Sequence, residues 1–264
     1  MGKYTIFGNP VSHSKSPQMQ QAGFAYLGLK CFYSKTEVTN GEDIKKIFLN
    51  HKLQGANITV PHKEVAFGLC DKVIGDANDI KAVNTIKLID SKLVGYNTDG
   101  AGFVMAIDNW IDDISSALIL GAGGTAKSIA VALKHQNIKT TILNRSKQKL
   151  GFFDSLNFKT YTHDMFKIES YDIVINTTTA GLNDTQYPIS KDILEKLLHR
   201  CKVVFDCIYG KKTPFLKLAS KLNKPYKDGE DMLLYQGVKA LELWSEKKAD
   251  KKLIQVMKES LKTL

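Results

Sequence analysis

The stretch Ala117-Leu-Ile-Leu-Gly-Ala-Gly-Gly-Thr-Ala126, followed one helix length later by Thr141-Ile-Leu-Asn-Arg-Ser146, decides the fold of this chain. Leu118, Ile119 and Leu120 read as a buried strand running into Gly121, Gly123 and Ala126, the G-x-G-x-x-G/A spacing of a dinucleotide-binding turn. Glycines there let the chain turn tightly and bring backbone N–H groups up to a pyrophosphate, and the positive N-terminus of the next helix adds to the attraction. Ala126, Ile129, Ala130 and Leu133 recur at i, i+3, i+4 and i+7, which gives that helix one apolar face to lay on a sheet. The cofactor loop is therefore assigned to Gly121, Ala122, Gly123, Gly124 and Thr125.

Thr140 to Leu143 reads as the next strand. At its end an NAD-selective site usually places Asp or Glu on the ribose 2′-hydroxyl. This chain has Asn144, Arg145, Ser146 and Lys147 instead. No acid is there to repel a 2′-phosphate, and the planar Arg145 fork can bind phosphate and stack on adenine. The expected cofactor is NADP(H) rather than NAD(H).

The 264 residues can bury a substantial core as one large domain or two modest ones, and 43% hydrophobic with 24% charged residues is an ordinary globular composition. No stretch approaches the roughly 20 apolar residues of a membrane span, and Met1-Gly-Lys-Tyr-Thr-Ile6 lacks the apolar run of a signal peptide. The expected location is the cytoplasm. Cys31, Cys70, Cys201 and Cys207 form no C-x-x-C pair and the histidines form no H-E-x-x-H, so no metal site is expected. The net charge of +10 is scattered, with Lys211-Lys212, Lys247-Lys248 and Lys251-Lys252 as the densest groups. A nucleic-acid footprint is a clustered patch, so nucleic acid is not an expected partner, although a positive field helps to collect anionic small molecules.

Strand-like and helix-like patterns alternate throughout, which argues for α/β. Expected strands are Tyr4 to Phe7, Ala56 to Val60, Thr85 to Ile89, Lys92 to Tyr96, Asp172 to Asn176 and Val203 to Asp206, with a hairpin turn at Asp90-Ser91. Expected helices begin at Ser16 as an N-cap before Pro17, with Ala22, Ala25, Tyr26 and Leu29 on one face, and at Gly41, Lys63 and Thr213-Pro214. Asp99 is expected as the cap of a helix over Gly102 to Trp110, and two helices are expected after Asp231. The expected architecture is a substrate-binding domain of residues 1–100 plus 232–264, and a Rossmann-type doubly wound cofactor domain of residues 101–231.

Three polar groups lie at strand and helix ends of the first block: Ser12-His-Ser-Lys-Ser-Pro17, Asn57-Ile-Thr-Val-Pro-His-Lys63, and Val83-Asn84 with Asn97-Thr-Asp-Gly100. With the glycine loop, Asn144-Arg145-Ser146, Asn176-Thr-Thr-Thr-Ala-Gly181 and Gly229-Glu-Asp-Met-Leu-Leu-Tyr-Gln236, they make the chain resemble the shikimate dehydrogenase family over nearly its whole length. The resemblance implies reversible NADPH-dependent reduction of 3-dehydroshikimate to shikimate on two α/β domains flanking a cleft. It also implies Ser14 and Ser16 as donors to the substrate carboxylate, and Thr59, Lys63, Asn84, Asp99 and Gln236 as partners of its ring oxygens. Tyr209 matches a further substrate contact. Gly229 matches the backbone beside the nicotinamide, with Cys207 and Ile208 at hydrophobic positions of the same pocket.

The chemistry itself asks for such residues. Hydride addition to a ketone makes an alkoxide that must be stabilised and protonated. A lysine is charged at neutral pH and can supply both field and proton, and a nearby carboxylate holds it in place. Lys63 and Asp99 can fill these roles, so oxidation of the alcohol, in which Lys63 accepts the proton, is expected to improve as pH rises. Each residue also has a plain reading taken singly: Lys63 as a solvated first-turn residue, Asp99 and Ser16 as caps, and Asn57, Asn84 and Gln236 as satisfiers of backbone groups at turns. His13 and His62 read as supporting or surface residues. A quinate/shikimate dehydrogenase with looser substrate and cofactor use, or a non-catalytic dinucleotide sensor, would share much of this pattern. The expected partners are small molecules, with the protein a monomer or homodimer.

Overall fold

Two sheets of six strands each carry the fold. The residues around them separate into two units, Met1–Gly102 with Leu233–Leu264, and Phe103–Met232. The structure, a computed structural model, describes residues 1–262.

The first unit runs β1 (Gly2–Gly8), α1 (Ser16–Tyr26), β2 (Cys31–Glu37), α2 (Ile44–Asn50), β3 (Gly55–Ile58), α3 (Lys63–Leu69), β4 (Lys72–Val73), α4 (Ala77–Ile80), β5 (Thr85–Ile89), β6 (Lys92–Tyr96) and the first turn of α5 (Asp99–Ala106). Its strand order is β2-β1-β3-β5-β6-β4. β1 runs parallel to both β2 and β3, while β5 is antiparallel to β3 and β6. The β5–β6 hairpin turns at Asp90 and Ser91, both with positive φ (48° and 62°), as a two-residue turn matched to strand twist requires.

The second unit runs β7 (Ser116–Leu120), α6 (Gly124–His135), β8 (Lys139–Asn144), α7 (Gly151–Ser155), β9 (Lys159–Thr162), β10 (Ile173–Asn176), α8 (Lys191–His199), β11 (Val203–Asp206), α9 (Pro214–Lys221) and β12 (Tyr226–Lys227). Its order is β12-β11-β10-β7-β8-β9, and every pairing is parallel. This is the doubly wound arrangement, in which ligands bind beyond the carboxyl ends of the strands where the order reverses, here between β7 and β10. β10 and β11 are buried along their whole length and β7 from Ala117 onward, which explains their near-continuous apolar sequences. Ala126, Ile129, Ala130 and Leu133 of α6 are all buried, and the Thr213 hydroxyl caps α9 by accepting from the Leu216 N–H.

The chain ends in α10 (Glu230–Ser245) and α11 (Lys251–Ser260). Leu234, Leu241 and Trp244 of α10 and Met257 of α11 share a core with Tyr4, Met19 and Phe24 of the first unit. Gly55 admits the Trp244 ring, since a Cβ there would lie 2.4 Å from its Nε1. That indole N–H donates to the Ile86 carbonyl at 3.0 Å, so the buried ring keeps its polar end satisfied.

Three expectations are corrected. The buried face of α1 is Ser16, Met19, Gln20, Gly23 and Phe24, not Ala22, Ala25, Tyr26 and Leu29. Gly23 sets it, because a Cβ there would meet Leu241 at 2.5 Å, so the bare backbone is the contact surface. Ser16 is inside the helix rather than its side-chain cap, and its N–H donates to the Ser14 hydroxyl oxygen at 3.2 Å. Asp99 is the first residue of α5, which stops at Ala106 instead of running from Gly102 to Trp110. β2, β4, β9 and β12 also go beyond the strands expected from the sequence.

Candidate active site

In the first unit β1 and β3 lie side by side in parallel, so their carboxyl ends open on one edge of the sheet. The polar motifs follow these ends. Ser14 stands in the loop after β1, Thr59 directly after β3, and Lys63 at the start of α3. The Thr59 N–H donates to the Phe7 carbonyl at 2.8 Å and the Asn9 N–H to the Val60 carbonyl at 3.1 Å, which ties the two loops together.

Lys63 Nζ donates to Asp99 Oδ2 at 2.6 Å, with the two side chains only 13% and 8% exposed. The solvated-lysine reading is thereby excluded. Burying such a pair rarely adds stability compared with apolar side chains, whereas removing one partner strands a charge at a cost of about 3–5 kcal/mol. Asp99 Oδ1 accepts from Asn84 Nδ2 at 2.7 Å. The other Asn84 N–H goes to the Thr98 hydroxyl at 3.0 Å, while Asn84 Oδ1 accepts from the Thr98 N–H at 2.8 Å. The Val83 N–H donates to the Lys63 carbonyl at 2.8 Å, anchoring the segment that carries Asn84 to the helix that carries Lys63. Asp99 at the first position of α5 also sits where a helix favours negative charge.

Ser14 and Ser16 are buried and adjacent in the loop-to-helix transition. Gln236, half-buried on α10, packs against α5: a Cβ on Gly102 would lie 2.6 Å from the Gln236 N. Its neighbour Gly237 packs on Met19 and accepts through its carbonyl from Gln20 Nε2 at 2.9 Å. Gln236 is thus held beside the first turn of α5, and its Nε2 donates to the Leu233 carbonyl at 2.8 Å, the backbone-satisfying reading. Asn57 is buried and hydrogen-bonded within the unit. His62 is also buried, its Nε2 2.6 Å from the Val38 carbonyl, whereas His13 is exposed, so only His13 keeps the surface reading.

In the second unit the glycine loop is nearly bare of side chains. Gly121 has φ +110°, a conformation that costs a residue with a Cβ, and a Cβ there would also meet Thr177 Oγ1 at 2.6 Å. Thr177 is fixed by its own hydroxyl on the Leu120 carbonyl at 2.8 Å. A Cβ on Gly123 would meet nothing within 4 Å, and Gly123 begins α6 with no side-chain cap. No side chain caps this terminus, and the first N–H groups of a helix have no partner within it, which is the cradle an anionic pyrophosphate needs. At the end of β8 Asn144 Nδ2 donates to the Ser146 carbonyl at 2.8 Å and shapes the turn, while Arg145 and Lys147 are exposed. Burial, and then the neighbouring Arg145 guanidinium, hold His163 below the usual histidine range.

Cys207 and Tyr209 follow β11. A Cβ on Gly229 would lie 2.2 Å from the Cys207 carbonyl oxygen, so only glycine lets these two backbones meet. Burial pushes the Tyr209 phenol up. The loop hangs on Asp206, which is fully buried and accepts from Thr213 Oγ1 (2.6 Å), Asn176 Nδ2 (3.0 Å) and the Ile208 N–H (3.1 Å). Burial raises its carboxyl to about 6 despite those bonds. From the sequence Asp206 reads only as a strand terminus. An acid closing an otherwise apolar strand, ahead of a Thr-Pro helix start, was the available signal.

These residues fit a phosphorylated dinucleotide through the open α6 terminus, the Gly121 and Gly229 backbone and the exposed Arg145. Among the described residues no group of three His, Cys, Asp or Glu side chains is placed to hold a metal ion, and no helix is long and apolar enough to cross a membrane.

Residues 6–86 match the shikimate dehydrogenase substrate binding domain and residues 229–262 the shikimate 5'-dehydrogenase C-terminal domain. The NADP(+)-type shikimate dehydrogenase of Helicobacter hepaticus is 44% identical over 98% of this chain and 96% of its own length. Among solved structures, Aquifex aeolicus shikimate dehydrogenase superposes with TM-score 0.87 at 33% identity, covering 100% of this chain and 98% of its own. Thermus thermophilus shikimate 5-dehydrogenase, in complex with NADP(H) and shikimate, superposes with TM-score 0.86 at 27% identity, covering 99% and 98%.

Proposed function

Because the chain belongs to the shikimate dehydrogenase family, we propose that it catalyses the reversible, NADPH-dependent reduction of 3-dehydroshikimate to shikimate. The observation that carries this reading is the secluded Lys63–Asp99 pair, a proton donor already oriented by its counter-charge. Residues 1–100 with 232–264 bind the substrate in this reading, and residues 101–231 bind NADP(H).

When bound, NADPH supplies the hydride that reduces the ketone carbon. Asp99 engages one N–H of the Lys63 ammonium. The remaining two are available to an oxygen that gains negative charge, and one of their protons passes to it as the alcohol forms. In the oxidative direction Lys63 receives that proton. Ser14 and Ser16 bind the carboxylate, and Thr59, Asn84, Gln236 and Tyr209 the ring oxygens. The Gly121-Ala122-Gly123-Gly124-Thr125 backbone holds the pyrophosphate, Asn144, Arg145, Ser146 and Lys147 hold the 2′-phosphate and adenine, and Cys207 and Gly229 border the nicotinamide. Only Arg145 and Lys147 in that set carry charge, and both are positive, which favours the phosphorylated cofactor. The partners are small molecules, no nucleic acid or membrane is involved, and a cytoplasmic monomer or homodimer completes the reading.

Incubation with shikimate and NADP+ tests it. NADPH should accumulate, and to a greater extent as pH rises because oxidation of the alcohol releases a proton. Absence of NADPH formation would contradict the proposal.

A further inference from the structure

Asn84 meets Asp99 through a side chain whose orientation is set from behind. Its carbonyl oxygen accepts from Thr85 Oγ1 at 2.9 Å. That hydroxyl in turn accepts from Asn57 Nδ2 at 3.0 Å, and Asn57 Oδ1 accepts from the Tyr33 hydroxyl at 2.7 Å. Tyr33, Asn57, Asn84, Thr85 and Asp99 are all buried, and Asn57 and Thr85 face each other directly across the β3–β5 pair.

The chain of bonds has only one chemically consistent direction. An ionised carboxylate accepts and cannot donate, so Asn84 must turn its N–H to Asp99 and its carbonyl to Thr85. The Thr85 hydroxyl accepts from Asn57 and gives its single proton to Asn84 at 2.9 Å, closer than its other neighbour, the Thr98 hydroxyl at 3.4 Å. Asn57 is left with its carbonyl toward Tyr33, whose phenolic O–H donates. Four donors in succession thus point toward the carboxylate that holds Lys63, and linked donors of this kind reinforce one another in a site shielded from water.

Resting on the proposed dehydrogenase reading, we infer that Thr85, Asn57 and Tyr33 are positioning residues that hold the Asn84 amide in register and thereby aim the Lys63–Asp99 pair. Thr85 is the link that joins Asn57 to Asn84, because its one hydroxyl is both acceptor and donor, while the Thr98 N–H holds the same Asn84 oxygen at 2.8 Å. Nothing in this role needs contact with substrate. Its loss therefore acts mainly on the rate of proton transfer and, through Asn84, more weakly on substrate binding.

The test compares Thr85→Val, which keeps the shape and loses the hydroxyl, with Thr85→Ser, which keeps the hydroxyl. Thr85→Val should lower kcat about tenfold with a smaller rise, about threefold, in KM for shikimate, because the displaced Asn84 amide orients Asp99 and also meets the ring oxygens. Thr85→Ser should stay within about twofold of the parent kcat. Tyr33→Phe, which cuts the chain at its far end, should cost about threefold and serves if Thr85→Val does not fold. Nuclear magnetic resonance of the Lys63 ammonium supplies an independent readout, with protection from hydrogen exchange in the parent and the serine variant and reduced protection in the valine or phenylalanine variant. A Thr85→Val enzyme with parent kcat and parent ammonium protection overturns the inference, and so does a serine variant as impaired as the valine one. A parent protein without turnover would instead remove the functional reading, and the ammonium signal would still decide the positioning role.

Discussion

The two units hold their proposed ligands by opposite means. Around Lys63 and Asp99 the work is done by side chains, buried and bonded to each other until little orientational freedom is left. Around Gly121 to Gly124 it is done by backbone, with side chains absent so that a ligand can approach the start of α6 closely. The difference follows from what each must bind. Proton transfer demands a donor held within a fraction of an ångström, whereas a diphosphate demands a broad positive surface and close approach.

Lys63→Ala is the sharpest way to break that comparison. It should lower kcat about a thousandfold, within the range attributed to a positioned acid or base, and leave NADPH affinity within about twofold. Steady-state rates combined with fluorescence titration of NADPH check both halves. Gly121→Ala attacks the other unit, placing a Cβ at φ +110° and 2.6 Å from Thr177 Oγ1. The strain should remove about 1–3 kcal/mol of stability, seen as a lower melting temperature, and NADPH binding should weaken with little effect on the chemical step once cofactor saturates.

Arg145→Ala should reduce the preference for NADPH over NADH about tenfold, measured as the ratio of the two kcat/KM values. An unchanged ratio would remove Arg145 from the selector. The smallest effect concerns Asp206. Its carboxyl is raised by burial from 3.8 to about 6, so the folded protein binds the proton more tightly than the unfolded chain between those values. The stability it contributes is present in acid and lost as pH rises through about 6. The melting temperature of Asp206→Asn relative to the parent should therefore rise between about pH 5 and about pH 7.5. A difference independent of pH would show that Asp206 does not titrate in this window.

The legible parts of the fold were those written in local pattern. Leu118 to Leu120, the α6 face and the Thr213 cap are all dictated by residues a few positions apart. The face of α1 was not, because Gly23 is buried for what it lacks, and hydrophobicity does not register a missing side chain. β2 escaped because Phe32 on it is exposed while Tyr33 is buried, so its apolar residues do not mark one face. The same divide runs through the site. Lys63 and Asp99 could be singled out from the chemistry of ketone reduction and from the motifs that carry them. Thr85 and Tyr33 could not, since their roles depend on Asn57 brought in from β3, on the Asn84 bond to Asp99 at the start of α5, and on the direction that one carboxylate imposes on a row of amides and hydroxyls.

Mixing the protein with NADPH and 3-dehydroshikimate, following NADPH absorbance and quantifying shikimate by chromatography, tests the central claim most directly. The account predicts that NADPH is consumed and shikimate formed in equal amounts. Stable NADPH in the presence of the ketone, or consumption without shikimate, would contradict it.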